Sequence, residues 1–361
     1  MTTAARQHLG ATVATTLWGR LPCSEDAPVL TVEPGERISL DTVSHEGILE
    51  DQGRDPVAFF GRHGVAPEDV LADAAAIASH GAHTPADGPH VVTGPIEVRG
   101  AEVGDYLAVH VDELVPRTAY GVISSRHAKG LLPSSFPLDN TPLTSVFCSV
   151  TGLDEPGGPA TALATLPLVA DGTDRPVRFP LAPFLGVMGV ATPGPERLHS
   201  TPPGLHGGNL DISLLREGST LYLPVQVPGA GFYAGDPHLA QGNGEVALTA
   251  LEAPLRATLT LDVVPRARAE RLFGRNRGPV ARTSQFLVPT GLDTDLDEAV
   301  AACARNALEV LGSSFGMDPS LAYAYLSAAA DFDISQVVDV VKGVHARIRI
   351  SDFALVEGGA W

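Results

Sequence analysis

Apolar and polar positions alternate with a period of two through residues 106–111, 221–225 and 257–263. That is the pattern of strands with one buried face. Each of three short turns, Glu33-Pro34-Gly35-Glu36, Glu102-Val103-Gly104-Asp105 and Arg216-Glu217-Gly218-Ser219, runs directly into such a strand. Glycine at a tight turn before an alternating run predicts equivalent hairpins in a sandwich or barrel. The copies are too short and too irregularly spaced for a solenoid. Helical periodicity is confined to two places. Pro67-Glu68-Asp69 opens a run with Val70, Leu71, Ala74, Ile77 and Ala78 on one face and Gly81 at its end. Later, Thr294 or Asp295 caps a helix through Leu311, and Asp318-Pro319 opens another to about Ala330.

The expected fold is therefore α+β and β-dominated, with sandwich- or barrel-like sheets and a late helical pair. The order of elements is not a βαβ alternation, which argues against a dinucleotide-binding sheet. Three parts suggest themselves: a β-rich part with one helix over 1–180, a β-rich part over 181–265 that carries the polar loops, and an α+β part over 266–361. They are expected to form one compact unit sharing one site.

Composition sharpens this picture. Glycine (38) and proline (30) punctuate the short apolar runs of a 361-residue chain, the texture of a many-stranded protein. The net charge of −18 comes without a basic run, so nucleic acid and anionic membranes are poor partners. Cys23, Cys148 and Cys303 are odd in number and far apart, which fits buried thiols in a reducing compartment. Residues 1–20 lack the apolar core of a secretory leader, and no run approaches the ~20 apolar residues of a spanning helix. The expected location is the cytoplasm.

The densest polar run is 235–245, with Asp236, His238, Gln241 and Glu245 on what reads as a Gly-rich loop before a strand at 246–249. Asp and His two apart can face one cation, and the glycines admit close approach of a ligand. A long polar turn without a ligand accounts for the same run. A second cluster, His206-Gly207-Gly208-Asn209-Leu210-Asp211, can aim backbone N–H groups at a developing oxyanion, with Asn209 and Asp211 on one face. It also reads as an ordinary turn.

Taken in order, Pro183-Phe184-Leu185-Gly186-Val187-Met188-Gly189-Val190 and these two clusters resemble the acetamidase/formamidase family. So do Thr31-Val32-Glu33-Pro34-Gly35-Glu36, His90-Val91-Val92-Thr93-Gly94-Pro95, and Asp333-Ile334-Ser335-Gln336-Val337-Val338-Asp339 with Lys342-Gly343-Val344-His345. The resemblance runs from about residue 30 to 350. It implies a mostly β fold, a homo-oligomer (a dimer or a multiple of one), a divalent metal with zinc ahead of calcium, and hydrolysis of small linear amides to acid and ammonia. Carried over by position, it makes Asp236 and His238 metal ligands, Asp211 a further ligand candidate and Glu245 the general base; the two polar clusters themselves add Gln241, His206 and Asn209 as catalytic candidates. A carboxylate beside a cation can take a proton from water and return it to the departing nitrogen.

The sequence departs from the family after Tyr120-Gly121-Val122-Ile123, where Ser124-Ser125-Arg126-His127-Ala128-Lys129-Gly130 intervenes. If that loop lines the site, Arg126 or Lys129 can pair with a substrate carboxylate; otherwise it is a solvated loop. His80, His83 and His90 resemble the His-rich metal motif of cyclase-type arylformamidases, but one-residue slips break the match. His345 reads as a structural histidine or an outer support of the site. Ser124-Ser125 and Ser134-Ser135 lack the Gly-rich, Ser-dense context and upstream Lys of a Ser-Ser-Lys amidase, and Cys148 lies in an apolar run, so water is the expected nucleophile. The competing class is a non-catalytic β-sandwich protein that holds a divalent cation or a carbohydrate.

Overall fold

The computed structural model describes residues 7–155, 157–169 and 176–356. The outer ends of the first and last expected parts, 1–6 and 357–361, lie outside the described residues. Two large sheets dominate. The first has nine strands in the order Gln7–Leu9, Glu36–Asp41, Leu255–Val264, Tyr106–Pro116, Thr220–Pro224, Val280–Arg282, Phe286–Asp293, Lys342–Arg349 and Asp331–Gln336. The second, of eleven, runs Pro176–Pro180, Leu163–Pro167, Leu143–Thr151, Tyr120–Arg126, Leu251–Glu252, Phe232–Ala240, Phe184–Gly189 and Gly207–Asn209. Val91–Val98 branches off beside Phe232–Ala240 and carries Thr16–Trp18 and Leu30–Val32. Each sheet draws strands from more than one of the expected parts. This is a β-dominated α+β architecture.

The alternating runs settle side by side in the first sheet, with Leu259 opposite Ile38 on one side and Val111 on the other. Their inward residues Ile38, Leu40, Leu107, Val109 and Leu261 share one buried cluster with Leu185, Phe232, Leu239 and Leu251 of the second sheet. Full burial of each such side chain contributes about 1.5–3 kcal/mol, and this contact holds the sheets face to face.

The three turn-strand modules are equivalent, but they are not hairpins. Leu30–Val32, Val91–Val98 and Gly207–Asn209 lie in the second sheet, while the strands after the turns, Glu36–Asp41, Tyr106–Pro116 and Thr220–Pro224, lie in the first. Each turn is thus a corner that passes the chain from one sheet to the other. Alternation identifies a strand; it does not say which strand is its partner.

The late helices, Leu296–Phe315 and Pro319–Ala329, cover one end of the first sheet. Asp295 and Asp318 cap them by accepting from the first free backbone N–H groups. Gly291 admits the first helix, because a Cβ there would stand 2.1 Å from the Ala299 carbonyl oxygen. The early helix is shorter than its periodicity predicts: Pro67–Asp69 is a separate 3-10 turn, and the α-helix is Ala72–His80. Among the described residues no helix is long and apolar enough to cross a membrane.

Candidate active site

Phe232–Ala240 runs between Phe184–Gly189 on one side and Val91–Val98 and Leu251–Glu252 on the other. Residues 235–240, expected as loop, belong to this buried strand, and the expected strand at 246–249 is irregular. Gly235 marks a close approach and not a turn: a Cβ on it would lie 2.2 Å from the Val91 carbonyl oxygen. In consequence Asp236 and His238 are fixed by a sheet and buried, Asp236 lining a cavity of about 670 Å³ and His238 directly behind it.

The strand neighbours supply the rest. Glu252 comes from the next strand, with Oε1 3.0 Å from His238 Nε2, and Asp236 Oδ2 lies 3.1 Å from the same nitrogen. Asp211 follows the short strand Gly207–Asn209, and its Oδ1 is 3.9 Å from His238 Nδ1. His45 Nδ1 stands 3.4 Å from Asp236 Oδ1, and His90 Nε2 3.8 Å from Asp236 Oδ2. His90 Nδ1 lies 3.2 Å from the Ser200 carbonyl oxygen and 3.1 Å from the Ser200 hydroxyl, contacts that hold the ring with Nε2 toward Asp236. Space for these groups depends on Gly186, whose added Cβ would lie 2.5 Å from Asp211 Oδ1, 2.6 Å from Asp236 Oδ2 and 2.7 Å from His238 Cε1.

Glu245 reaches the site from a turn. Its N–H donates to Gly242 O, and Gly244 exchanges backbone hydrogen bonds with the C-terminal segment, donating to Ser335 O and accepting from Val337 N–H. The segment that holds Glu245 also delivers Asp339, which faces Asp211. Backbone strain gathers here. Ala128, Asp211, Asp236, Glu245, Leu248 and Val340 all line the cavity, and all have φ between 47° and 119°. Such conformations cost of order 1–3 kcal/mol each in a non-glycine residue and concentrate at functional sites.

The charge balance of the site is uneven. Burial, reinforced by neighbouring carboxylates, drives Asp211, Glu245 and Asp339 well above the usual carboxylate range. Asp236 is held well below it, because the surrounding imidazoles of His90, His238 and His45 together outweigh its own burial. Burial alone would depress His45, but Asp236, Glu46 and Glu252 hold it up to about 10. His90 falls to about 4, chiefly through burial. Several buried atoms make no hydrogen bond: both Asp211 oxygens, Asp236 Oδ1, Glu252 Oε2, Asp339 Oδ2, His45 Nδ1 and both His238 nitrogens. The short His238 contacts are therefore close without hydrogen-bond alignment. Three overlapping groups, His45/His90/Asp236, Asp211/His238/Glu245 and Asp236/His238/Glu252, each bring donor atoms within 4.8 Å of one another, close enough to hold a cation. Acid-rich and imidazole-bearing, with lone pairs unanswered, the donor set fits a divalent metal.

Among the sequence-derived candidates, the structure brings Asp211, Asp236, His238 and Glu245 together and sets Asn209 in the cavity wall with its Oδ1 unpartnered. His206 and Gln241 do not line the cavity. His206 is buried against Gly204 and Gly208, and Gln241 donates its amide to the carbonyls of Asp211 and Ser335, tying two walls together. Glu245 is held by its own turn and by Gly244, not by a following strand. The His-rich run divides. His80 is exposed, His83 stacks on Trp18 at the rim, and His90 enters the site. Of residues 124–130, expected as a loop, the first three end the strand Tyr120–Arg126; Arg126, Ala128 and Lys129 do line the cavity, but the Arg126 guanidinium is already engaged by Asp51 (2.6 Å) and Glu46 (3.4 Å).

His45, Glu46, Glu252 and Asp339 were not singled out by the sequence reading. For Glu252 the available signal was a charge inside an apolar stretch, Ala250-Leu251-Glu252-Ala253.

Known proteins share both the sequence and the shape. Residues 191–351, which include Asp211, Asp236, His238, Glu245, Glu252 and Asp339, match the model of the Acetamidase/Formamidase family. The chain is 31% identical over 195 residues to a Schizosaccharomyces pombe candidate formamidase, covering 44% of this chain and 47% of that protein. It is 30% identical over 198 residues to the acetamidase of Mycolicibacterium smegmatis, covering 44% and 49%. The match spans about half the length of these curated relatives. The crystal structure of an acetamidase from Bacillus halodurans shares the fold with a TM-score of 0.73 at 22% identity, over 97% of this chain and 99% of that one. The matched segment contributes most of the cluster at the cavity floor, and over that segment the chain is similar to the acetamidase/formamidase family.

Proposed function

We propose that the protein is a metal-dependent amidohydrolase that cleaves a small linear amide, whether formamide- or acetamide-like or carboxylate-bearing, to its acid and ammonia. One observation carries the reading: in a chain similar to this family, a cavity ends on buried carboxylates and imidazoles whose lone pairs are unanswered. His45, His90, His238, Asp236, Asp211 and Glu252 are the residues that would hold the metal. Imidazole donors favour zinc over calcium, which takes oxygen ligands. When bound, such an ion polarises the amide carbonyl and acidifies water.

The chain's own groups do the rest. Glu245 takes a proton from the attacking water and returns it to the departing nitrogen, which leaves as ammonia only once protonated. Asn209, in the wall, faces the oxygen that gains charge as the carbonyl becomes tetrahedral. Ser124 donates to Glu46 at 2.6 Å, and Arg126 pairs with the same carboxylate, which steadies Glu46 behind His45. Ammonia release from an amide panel tests the reading; binding of cation or sugar without turnover on any amide would favour a non-catalytic binding protein. The protein is further proposed to be cytoplasmic, which its three buried free thiols support. Leu131, Leu132, Phe136 and Leu138, exposed on one loop, support a homo-oligomer, a dimer or a multiple of it. Light scattering should exceed the 37.5 kDa of one chain; a stable monomer would contradict this.

A further inference from the structure

The chain carries 24 Lys and Arg residues, and only two of them, Lys129 and Lys342, are lysines. Both line the same cavity. They arrive by separate routes: Lys129 on the turn after Tyr120–Arg126 of the second sheet, Lys342 at the start of Lys342–Arg349 of the first. Neither turn is loose. Around Lys129, His127 N–H donates to Pro142 O, Lys129 N–H to Arg126 O and Leu131 N–H to Val246 O, with Ala128 held at φ 64°. Around Lys342, Gln336 donates to Val341 O, and Val340 is held at φ 68°, an outlier for a β-branched residue.

Acidic groups at the mouth are already answered. Glu50 pairs with His83 (2.9 Å) and Arg54 (3.3 Å), Asp51 with Arg126 (2.6 Å) and Asp87 with Arg20 (2.6 Å). Lys129 has no ion-pair partner among the described residues, and the Lys342 ammonium donates to the Thr294 carbonyl, not to a carboxylate. The mouth therefore presents uncompensated positive charge above an acidic floor, in a protein whose net charge is −18. Leu49, Leu248, Val337 and Val338 give the same cavity an apolar lining. At about 670 Å³ the cavity is within the ~300–1,000 Å³ range of sites for drug-sized ligands and far exceeds a two-carbon amide.

Resting on the amidohydrolase reading, we infer that the substrate is an amide with a carboxylate at its far end, received at the mouth by Lys129 and Lys342 while the amide reaches the acidic floor across an apolar linker. The two ends of the cavity orient such a molecule: the carboxylate is repelled by the floor and held at the rim.

The test compares glutaramate, which ends in a carboxylate, with pentanamide, its neutral counterpart, on the metal-loaded wild type, K129M and K342M. Methionine keeps the chain length and removes the charge. Wild type should favour glutaramate in kcat/KM, K129M and K342M should each lower that preference by about tenfold, mostly through KM, and high salt should erode it. An unchanged ratio in both variants would overturn the inference while leaving amide hydrolysis standing. Calorimetry with glutarate separates the two claims, because it needs no turnover. If no amide is cleaved but glutarate binds and weakens about tenfold in K129M, the anion-receiving mouth stands and the hydrolase reading falls. Glutarate binding indifferent to both lysines would count against the mouth.

Discussion

Two buried carboxylate clusters stand in this molecule, and they are opposites. At the end of Glu36–Asp41, Asp41 is met on both oxygens: Arg256 donates to Oδ1 at 2.7 Å and to Oδ2 at 3.0 Å, while His8 lies 3.2 Å and Arg117 3.7 Å from Oδ2. Arg117 also binds Asp73 and the Thr42 carbonyl. At the cavity floor, Asp211 has no hydrogen bond to either oxygen, and Asp236, Glu252 and Asp339 each leave one unanswered. The pKa directions follow. Burial would raise Asp41, but Arg256, Arg117 and His8 outweigh it and hold the acid below its usual range; Asp211, Glu245 and Asp339 are pushed well above theirs. A satisfied network stabilises the fold. An acid surplus with unanswered lone pairs is destabilising until a cation or a substrate arrives, which marks it as chemistry.

The largest predicted effect breaks the site and leaves the fold. Glu245→Gln keeps the shape and removes the proton acceptor, so turnover should fall by about 10²–10⁴ while metal content and melting temperature barely move. Near-wild-type turnover would remove Glu245 from the mechanism, and a parallel loss of metal would make it a ligand instead.

A smaller effect comes from filling the cradle. Gly186 has an ordinary φ, so alanine is allowed by the backbone, yet its Cβ would intrude among Asp211, Asp236 and His238. Gly186→Ala should cost about 10–100-fold in metal affinity, the scale on which displaced support of a ligand acts, as read by competition with a chelating dye. Undiminished affinity would place the metal elsewhere.

The smallest effect belongs to the satisfied cluster. Asp41→Asn should leave turnover nearly intact and cost about 1.5–3 kcal/mol of stability near neutral pH, since hydrogen bonds to a charged group are lost. Because the folded pKa of Asp41 is depressed, its stabilisation is fully present above the unfolded value of about 3.9 and fades as pH falls toward the folded value. Denaturant melts should show the gap between wild type and Asp41→Asn constant from about pH 7 to 5 and closing below about pH 4. A gap that widened on acidification would reverse this assignment.

Strands and caps were legible because their causes are local. Alternation marked Tyr106–Pro116 and Leu255–Val264, and Asp295 and Asp318 announced their helices. What failed was pairing and the meaning of glycine. Gly235 reads as a turn until Val91 is known to pass beside it, and the three corners read as hairpins until the second sheet is known. The site divides the same way. Asp236 and His238 share one segment and were visible together, whereas Glu252 stands beside His238 only through strand register. Asp339 arrives near Asp211 from the far end of the chain, and His45 reaches Asp236 from the near end. No spacing rule connects residues separated that far.

The central claim is that the cavity floor hydrolyses amides with a metal held by its imidazoles and carboxylates. The most direct measurement is ammonia release from an amide panel by one preparation as purified, after chelation, and after zinc is returned. The account predicts release that disappears with the metal and returns with it. Release that persists undiminished in metal-free protein, or a zinc-loaded protein inert toward every amide in the panel, would contradict it.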